Sequence, residues 1–131
     1  MKKELEKKLF EAYPKIFAQK DMRPQETCLC WGISTGNGWY KIIDKLCSKI
    51  QKYVDSNEVK QVQTVQVKEK FGGLRFYVDG APEEVYKYIY EAEGESLVTC
   101  EECGSKDRVK QSVAGWISTL CHKCMEGRNA K

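Results

Sequence analysis

The chain has 131 residues and a formal net charge of +3, with 41% hydrophobic and 31% charged residues. A chain of this length forms about one domain with a modest core, and the composition excludes wholesale disorder and collagen-like architectures. No apolar run approaches the roughly 20 residues that cross a bilayer, and the Lys- and Glu-rich start lacks the apolar stretch of a signal peptide. The expectation is a soluble protein of the cytoplasm with no membrane partner.

Apolar residues at helical spacing predict a first helix over about residues 2–20. Pro14 should kink or restart this helix, because proline has no backbone N–H to donate. Residues 21–36 are predicted to form a loop that contains Cys28 and Cys30. Their C-x-C spacing favours packing in the loop or core over a metal site.

A second helix is predicted over about residues 38–54, with Asn37 as its N-cap and Cys47 as a small core residue. The glycine-bearing loop before it leaves two interpretations. The loop caps the helix, or its free amides contact an anionic ligand at the helix N-terminus. In the second interpretation Asn37 and Trp39 are candidate ligand-binding residues.

A β-hairpin is predicted over about residues 60–79, with Gly72-Gly73 as its two-residue turn. This register pairs Phe71 with Leu74, Lys70 with Arg75, Glu69 with Phe76 and Lys68 with Tyr77. One face is then apolar and comprises Val65, Val67, Phe71, Leu74, Phe76 and Val78. The other face carries Lys68, Lys70, Arg75 and Tyr77.

Like charges on this second face are unfavourable unless an acidic group sits between them. A carboxylate of the protein, such as Glu69, Asp79 or a helix residue, is one way to supply it. A phosphate-bearing ligand is the other. In that case Arg75 acts as a planar donor fork, Lys68 and Lys70 act as point charges, and Tyr77 stacks or donates its hydroxyl.

A third helix is predicted over about residues 82–94, because Pro82 fits a first helical turn and Gly94 fits a C-cap. The chain thus divides into an α+β domain over residues 1–98, a metal-binding ribbon over 99–126 and a disordered tail over 127–131. Within the ribbon, a hairpin should turn near Ala114-Gly115. Trp116 is expected to cover the metal site or dock the ribbon on the main domain.

Four of the seven cysteines form two C-x-x-C pairs, Cys100/Cys103 and Cys121/Cys124, with 17 residues between the pairs. This spacing is typical of a structural zinc site, and it predicts a zinc ribbon with four cysteine ligands. Redox-active thiol pairs and a small iron centre are the alternatives. Four thiolates and one divalent ion add −4 + 2 = −2, which lowers the net charge from +3 to about +1. Anion binding must therefore come from a local patch.

Three stretches together resemble a family of small, largely uncharacterised proteins from phages, prophages and bacteria. They are Gly38-Trp39 opening a helix, the Lys68–Tyr77 segment KEKFGGLRFY, and Cys100-x-x-Cys103 followed by Gly115-Trp116 and Thr119-Leu120-Cys121. The similarity spans about residues 36–124. Relatives often end in Cys-x-x-His, so Cys124 is a departure that still suits zinc. The resemblance implies a phage or prophage context, hence the host-cell cytoplasm, and no established activity.

Catalytic residues have weak support in the sequence. His122 is the only histidine and lies between two predicted metal ligands. A closed four-cysteine site also lacks the open position that activates water. A magnesium nuclease using Asp55 or Glu58 with Glu69 stays open, but a non-catalytic role is favoured.

The resulting hypothesis is a non-catalytic, zinc-stabilised and phage-related binding protein with an anti-defence role. It captures a phosphate-bearing small molecule, such as a nucleotide-derived immune signal. Two alternatives are a nucleic-acid-binding or transcription-associated zinc ribbon, and a protein-interaction or inhibitor module that contacts a host protein. In the first, the basic surface extends over Lys106, Arg108, Lys110 and Lys123. The sequence leaves open a homo-oligomer with a pocket between subunits.

Overall fold

The structure is a computed structural model and describes residues 1–112 and 115–129. It has mixed α+β architecture with a C-terminal cluster of four cysteines, as predicted. The helices are α1 (Lys3–Ala12), α2 (Tyr40–Asn57), α3 (Glu83–Ser96) and α4 (His122–Asn129). The strands are β1 (Ile33–Ser34), β2 (Thr64–Lys70), β3 (Gly73–Val78), β4 (Lys110–Gln111) and β5 (Thr119–Leu120).

The main body packs helices on one face of a three-stranded sheet in the order β1-β2-β3. Strand β1 is parallel to β2, and β3 is antiparallel to it. Buried apolar residues of α2 and α3 share one core with those of β2 and β3. The largest fully buried side chains of this core include Phe17, Trp39, Ile43, Leu46, Ile50, Val67, Leu74 and Val85.

The first helix is shorter than predicted. It ends at Ala12, and a 3-10 turn at Ala18–Asp21 replaces the second half of the predicted range 2–20. The physical reason is Pro14, since the residue before a proline is disfavoured in the helical region and the proline ring cannot continue the hydrogen-bond ladder. Ile16 and Phe17 still reach the core, although the segment that carries them is not an α-helix.

The other two predicted helices exist with shifted ends. Helix α2 begins at Tyr40, after a 3-10 turn at Asn37–Trp39, and its N-cap is Trp39 rather than Asn37. Helix α3 continues through Gly94 to Ser96. Its last turn is hydrogen-bonded to the sheet, because the Ser96 hydroxyl accepts the Leu74 backbone N–H at 2.9 Å. This contact covers part of the open edge of β3.

The hairpin has a different turn from the one predicted. Lys70 pairs with Gly73, and the two turn residues are Phe71 and Gly72, with φ of 52° and 83°. Positive φ at both positions is the geometry of a type I′ turn. The observed register sets buried Val67 opposite buried Phe76, where the predicted one set Glu69. Burial of this apolar pair decides the register.

The C-terminal ribbon consists of a short β4–β5 hairpin followed by α4. The predicted turn residue Ala114 lies outside the described residues, as do 130 and 131 of the predicted disordered tail. Residues 127–129 are helical instead of disordered, because α4 starts inside the second cysteine pair and runs past it. Across the described ranges, no helix is both long enough and apolar enough to cross a bilayer.

Candidate metal centre and basic face

The four predicted metal ligands converge at one end of the ribbon. The Sγ atoms of Cys100, Cys103, Cys121 and Cys124 all lie within 4.8 Å of one another. Cys103 Sγ and Cys121 Sγ are 3.6 Å apart. Four sulfurs at about 2.3 Å from a tetrahedral ion are about 3.8 Å apart, whereas a disulfide bond is about 2.05 Å long. The cluster therefore has the dimensions of a metal site.

The local backbone shapes both halves of this cluster. Gly104 has φ of 80°, and its N–H donates to the Cys100 carbonyl at 2.9 Å. A residue with a side chain is strained in that conformation, so glycine suits the tight knuckle. A hydrogen bond from the Cys124 backbone N–H lowers the pKa of the Cys121 thiol. Burial, followed by the neighbouring thiols, raises the pKa of Cys124, so full ionisation of the cluster needs a cation.

The loop that precedes α2 is a docking surface for the first cysteine pair. The Gly38 N–H donates to the Glu101 carbonyl at 2.7 Å, and the Gly36 N–H donates to the Glu101 carboxylate at 2.8 Å. A Cβ atom on Gly38 would overlap the Cys100 carbonyl oxygen. Both glycines are therefore explained by close backbone approach, which neither sequence interpretation of this loop included.

The ribbon also contacts the tip of the hairpin. The Thr119 hydroxyl donates to the Gly72 carbonyl, and the Gln111 side-chain amide donates to the Leu97 carbonyl at 2.9 Å. The Glu69 carboxylate accepts the Gly72 N–H at 3.0 Å, which holds the turn from the other side. Hydrogen bonds thus connect the residues around the cysteine cluster to both the start of α2 and the β2–β3 turn.

Two of the predicted ligand-binding residues, Trp39 and Asn37, make structural contacts. Trp39 is fully buried, and its indole N–H donates to the Thr99 carbonyl at 2.9 Å. The Asn37 side-chain oxygen accepts the Lys2 backbone N–H at 2.7 Å. Trp39 has no exposed surface through which to contact a ligand, so the structure removes it from that role.

The other four predicted ligand-binding residues lie together on the open face of the sheet. Lys68 is directly opposite Arg75, and Tyr77 is opposite Gln66 on the same face. Lys70 sits beside the turn, opposite Gly73. Tyr77 and Lys70 are exposed, and Lys68 and Arg75 are half-buried. We call the set Lys68, Lys70, Arg75 and Tyr77 the basic face.

The basic face has an acidic neighbour, Glu93 of α3. Burial raises the pKa of the Glu93 carboxyl group, whereas the Phe76 backbone N–H and the nearby Arg75 charge lower it. Glu69 points to the Gly72 N–H, and within residues 1–112 and 115–129 no ion pair involves Lys68, Lys70 or Arg75. The Arg75 guanidinium donates to the Leu74 carbonyl at 3.0 Å. Lys68 and Arg75 therefore face each other across a strand pair, and a bound anion would stabilise them.

Sequence reasoning missed a cleft between the hairpin tip and the ribbon. It has a volume of about 240 Å³, and its lining comprises Lys68, Glu69, Lys70, Phe71, Gly115, Trp116 and Ile117. We call it the aromatic cleft. Phe71 was predicted to be core and Trp116 to cover the metal or dock the ribbon, but they are 68% and 72% exposed. Because the turn lies one residue earlier in the chain than predicted, Phe71 is a turn residue and lies outside the core.

The remaining cysteines and the histidine contribute no further site. Cys47 is buried in the main core, as predicted, and Cys28 and Cys30 lie in the loop before β1. His122 is exposed at the start of α4, and its Nε2 lies 2.8 Å from the Glu126 carboxylate. The metal cluster is made by cysteine alone.

No family model, curated protein or solved structure matches this chain.

Proposed function

We propose that the protein is a zinc-stabilised, non-catalytic binding protein that captures a phosphate-bearing small molecule on its basic face. The observation that carries the proposal is the Lys68/Arg75 pair, which lies in direct register on the open face of the sheet. A phosphate adds negative charge between the two cations and accepts the planar donor fork of Arg75.

Zinc is the metal that we propose for the cysteine cluster. Four thiolates in a compact tetrahedral set suit Zn²⁺, and a second hydrogen-bonded layer, such as the Cys124 N–H on Cys121, is typical of such sites. With all four positions taken by cysteine, the ion has a structural role. It would hold the ribbon against the hairpin tip and the start of α2.

The biological context of the proposal is a phage or prophage protein that sequesters a nucleotide-derived immune signal. This part rests on the resemblance of the Lys68–Tyr77 segment and the cysteine pattern, together with the basic face. Sequestration needs binding without turnover, and a four-cysteine site with no open metal position agrees with that requirement.

The nucleic-acid alternative has weaker support from the ribbon surface. Lys106 pairs with Glu95 at 3.2 Å, and Arg108 pairs with Asp107 at 3.3 Å. These pairs reduce the local positive field that a phosphate backbone requires. Lys110 and Lys123 are exposed, but two separated cations give the surface only a weak positive potential.

The test is a depletion experiment. The protein is incubated with cyclic nucleotides and ADP-ribose derivatives, filtered, and the free compounds are quantified before and after the protein is denatured. We expect one compound to be depleted and then recovered intact. Arg75→Ala and Lys68→Ala should abolish depletion, whereas Lys52→Ala, a matched change of an exposed lysine on α2, should not.

Each alternative has its own outcome in this experiment. Recovery of a cleaved compound would indicate an enzyme. Binding of a nucleic acid with a steep loss of affinity on raising salt would replace the proposal with the nucleic-acid alternative. Depletion that is equal in the wild type and in Arg75→Ala would reject the basic face as the site.

A further inference from the structure

The aromatic cleft contains a residue whose conformation the fold does not favour. Phe71 occupies the first central position of a type I′ turn with φ of 52°, and its side chain is 68% exposed. Asn and Gly are the residues that this position prefers, and a bulky residue at positive φ is strained. The ring gains little burial in return, so folding gives no reason for a phenylalanine here.

A second exposed aromatic residue lines the same cleft from the ribbon side. Trp116 is 72% exposed, and Ile117 beside it is 37% exposed. Clustered exposed rings at a concave site are typical of binding surfaces, because each ring offers a flat apolar area at little entropy cost. The hairpin and the ribbon thus each contribute an aromatic side chain to one cleft.

The charge at the cleft selects the kind of molecule that fits. Lys68 and Lys70 line it, and the Lys70 ammonium lies 5.6 Å from the Phe71 ring centroid. Lys68 also belongs to the basic face, opposite Arg75. Glu69 lines the aromatic cleft too, so its lining carries two lysines and one carboxylate. A neighbouring cleft of about 550 Å³ shares Glu69 and Trp116 but adds Glu101 and Glu102 against one arginine, and it disfavours phosphate. The combination of rings and lysines is therefore specific to the aromatic cleft.

We infer that the aromatic cleft binds the base of a nucleotide by stacking on Phe71 and Trp116, while the phosphate lies on Lys68 and Arg75. This inference rests on the proposed function and names the ligand class as a nucleoside phosphate. The lining contains no side-chain amide and no hydroxyl, so base recognition is by stacking and tolerates different bases. Stacking contributes roughly 1–3 kcal/mol per base, which corresponds to roughly 5- to 150-fold in affinity.

The experiment separates the base from the phosphate. Titration calorimetry measures the four nucleoside 5′-monophosphates and ribose 5-phosphate against the wild type and the variants Phe71→Asn and Trp116→Ser. Asparagine suits the positive φ of position 71, so the first variant keeps the turn. Trp31→Ser is the matched control, because Trp31 is 69% exposed and lies outside the cleft.

We expect the monophosphates to bind at least roughly 5-fold more tightly than ribose 5-phosphate. Phe71→Asn and Trp116→Ser should each remove that advantage and leave ribose 5-phosphate binding unchanged, and Trp31→Ser should have no effect. Ligand-induced quenching of tryptophan fluorescence should disappear in Trp116→Ser and persist in Trp31→Ser. Equal binding of monophosphates and ribose 5-phosphate, lost together in Arg75→Ala but unaffected by Phe71→Asn, would overturn this inference and leave the proposed function standing. If neither probe class binds the wild type, the inference fails, and the depletion panel of cyclic and ADP-ribose compounds then decides the proposed function separately.

Discussion

The main body and the ribbon are stabilised in different ways. The body buries a continuous apolar core that draws residues from α1, α2, α3 and the three-stranded sheet. Among the described residues, the apolar cluster of the ribbon comprises buried Cys100, Leu120 and Cys121, with Val109, Cys124 and Met125 partly buried around them. An apolar cluster this small does not offset the entropy cost of ordering the ribbon. The body can fold by burial, whereas we expect the ribbon to need a metal ion in its cysteine cluster.

The two regions nevertheless form one surface. The ribbon contributes Trp116 and Ile117 to the aromatic cleft, and the body contributes Lys68, Lys70 and Phe71. The zinc that we propose would therefore affect the aromatic cleft only through the position of the ribbon. We therefore expect the body to stay folded without the metal and the ribbon to depend on it, and each of the following variants tests one side of this difference.

The largest effect is expected from loss of the metal. Cys103→Ser should reduce zinc from one ion per chain to a small fraction, because structural zinc contributes on the order of 10–16 kcal/mol to such folds. Hydrogen exchange should show lost protection in residues 99–126 and retained protection in α2 and β2. Zinc content is measured by elemental mass spectrometry. Cys28→Ser, at an exposed cysteine outside the cluster, is the control, and equal zinc in both variants would reject the site.

The next largest effect belongs to the core of the body. Phe76 is 2% exposed and faces Val67 across the strand pair. Phe76→Ala should lower the free energy of unfolding by about 3–5 kcal/mol, since it removes a large buried side chain and leaves a cavity. Urea unfolding measures the loss, and both regions should unfold together. The neighbouring change Tyr77→Ala, on the open face, should cost much less.

A smaller effect is expected at the joint between the two regions. Gly38→Ala places a methyl group against the Cys100 carbonyl, and backbone on both sides must shift to receive it. Overpacking of this kind costs about 1–3 kcal/mol. Thermal unfolding should show the loss, and the ribbon should exchange faster while still binding zinc.

Gly94→Ala is the matched control for this joint. Nothing lies within 4 Å of the position that its Cβ would take, and Gly94 is inside α3. Alanine is the better helix former by about 1 kcal/mol, so this variant should be slightly more stable. Equal stability of the two alanine variants would contradict the close docking of the ribbon.

Local patterns in the sequence predict most of the fold. The cysteine spacing, the apolar period of α2 and the acidic start of α3 are each visible over a few residues, and the structure contains all three. The sequence predicts the hairpin in the correct segment but with the wrong turn residues. The Gly-Gly pair is the stronger local turn signal, but the long-range burial of Val67 against Phe76 overrides it.

The site was only partly visible in the sequence for a related reason. The basic face depends on strand alternation, which is local, and its four residues do share a face. The docking role of Gly36 and Gly38 depends on how the ribbon packs on the body, and so does the position of Phe71 and Trp116 in one cleft. Contacts between segments so far apart in the chain leave no periodic signal in one sequence.

The smallest effect on stability should come from Arg75, and it tests the basic face directly. Arg75 is half-buried, and among the described residues its side chain donates to the Leu74 carbonyl without an ion pair. Arg75→Ala should therefore change the free energy of unfolding by about 1 kcal/mol or less. One net hydrogen bond and the attraction to Glu93 are lost, while repulsion with Lys68 is relieved. Phosphate-ligand binding should fall far more than stability does. The comparison is made by urea unfolding and calorimetry on the same preparation. If Arg75→Ala unfolds the protein and Phe76→Ala does not, the two faces of the hairpin are exchanged, and the open basic face is wrong.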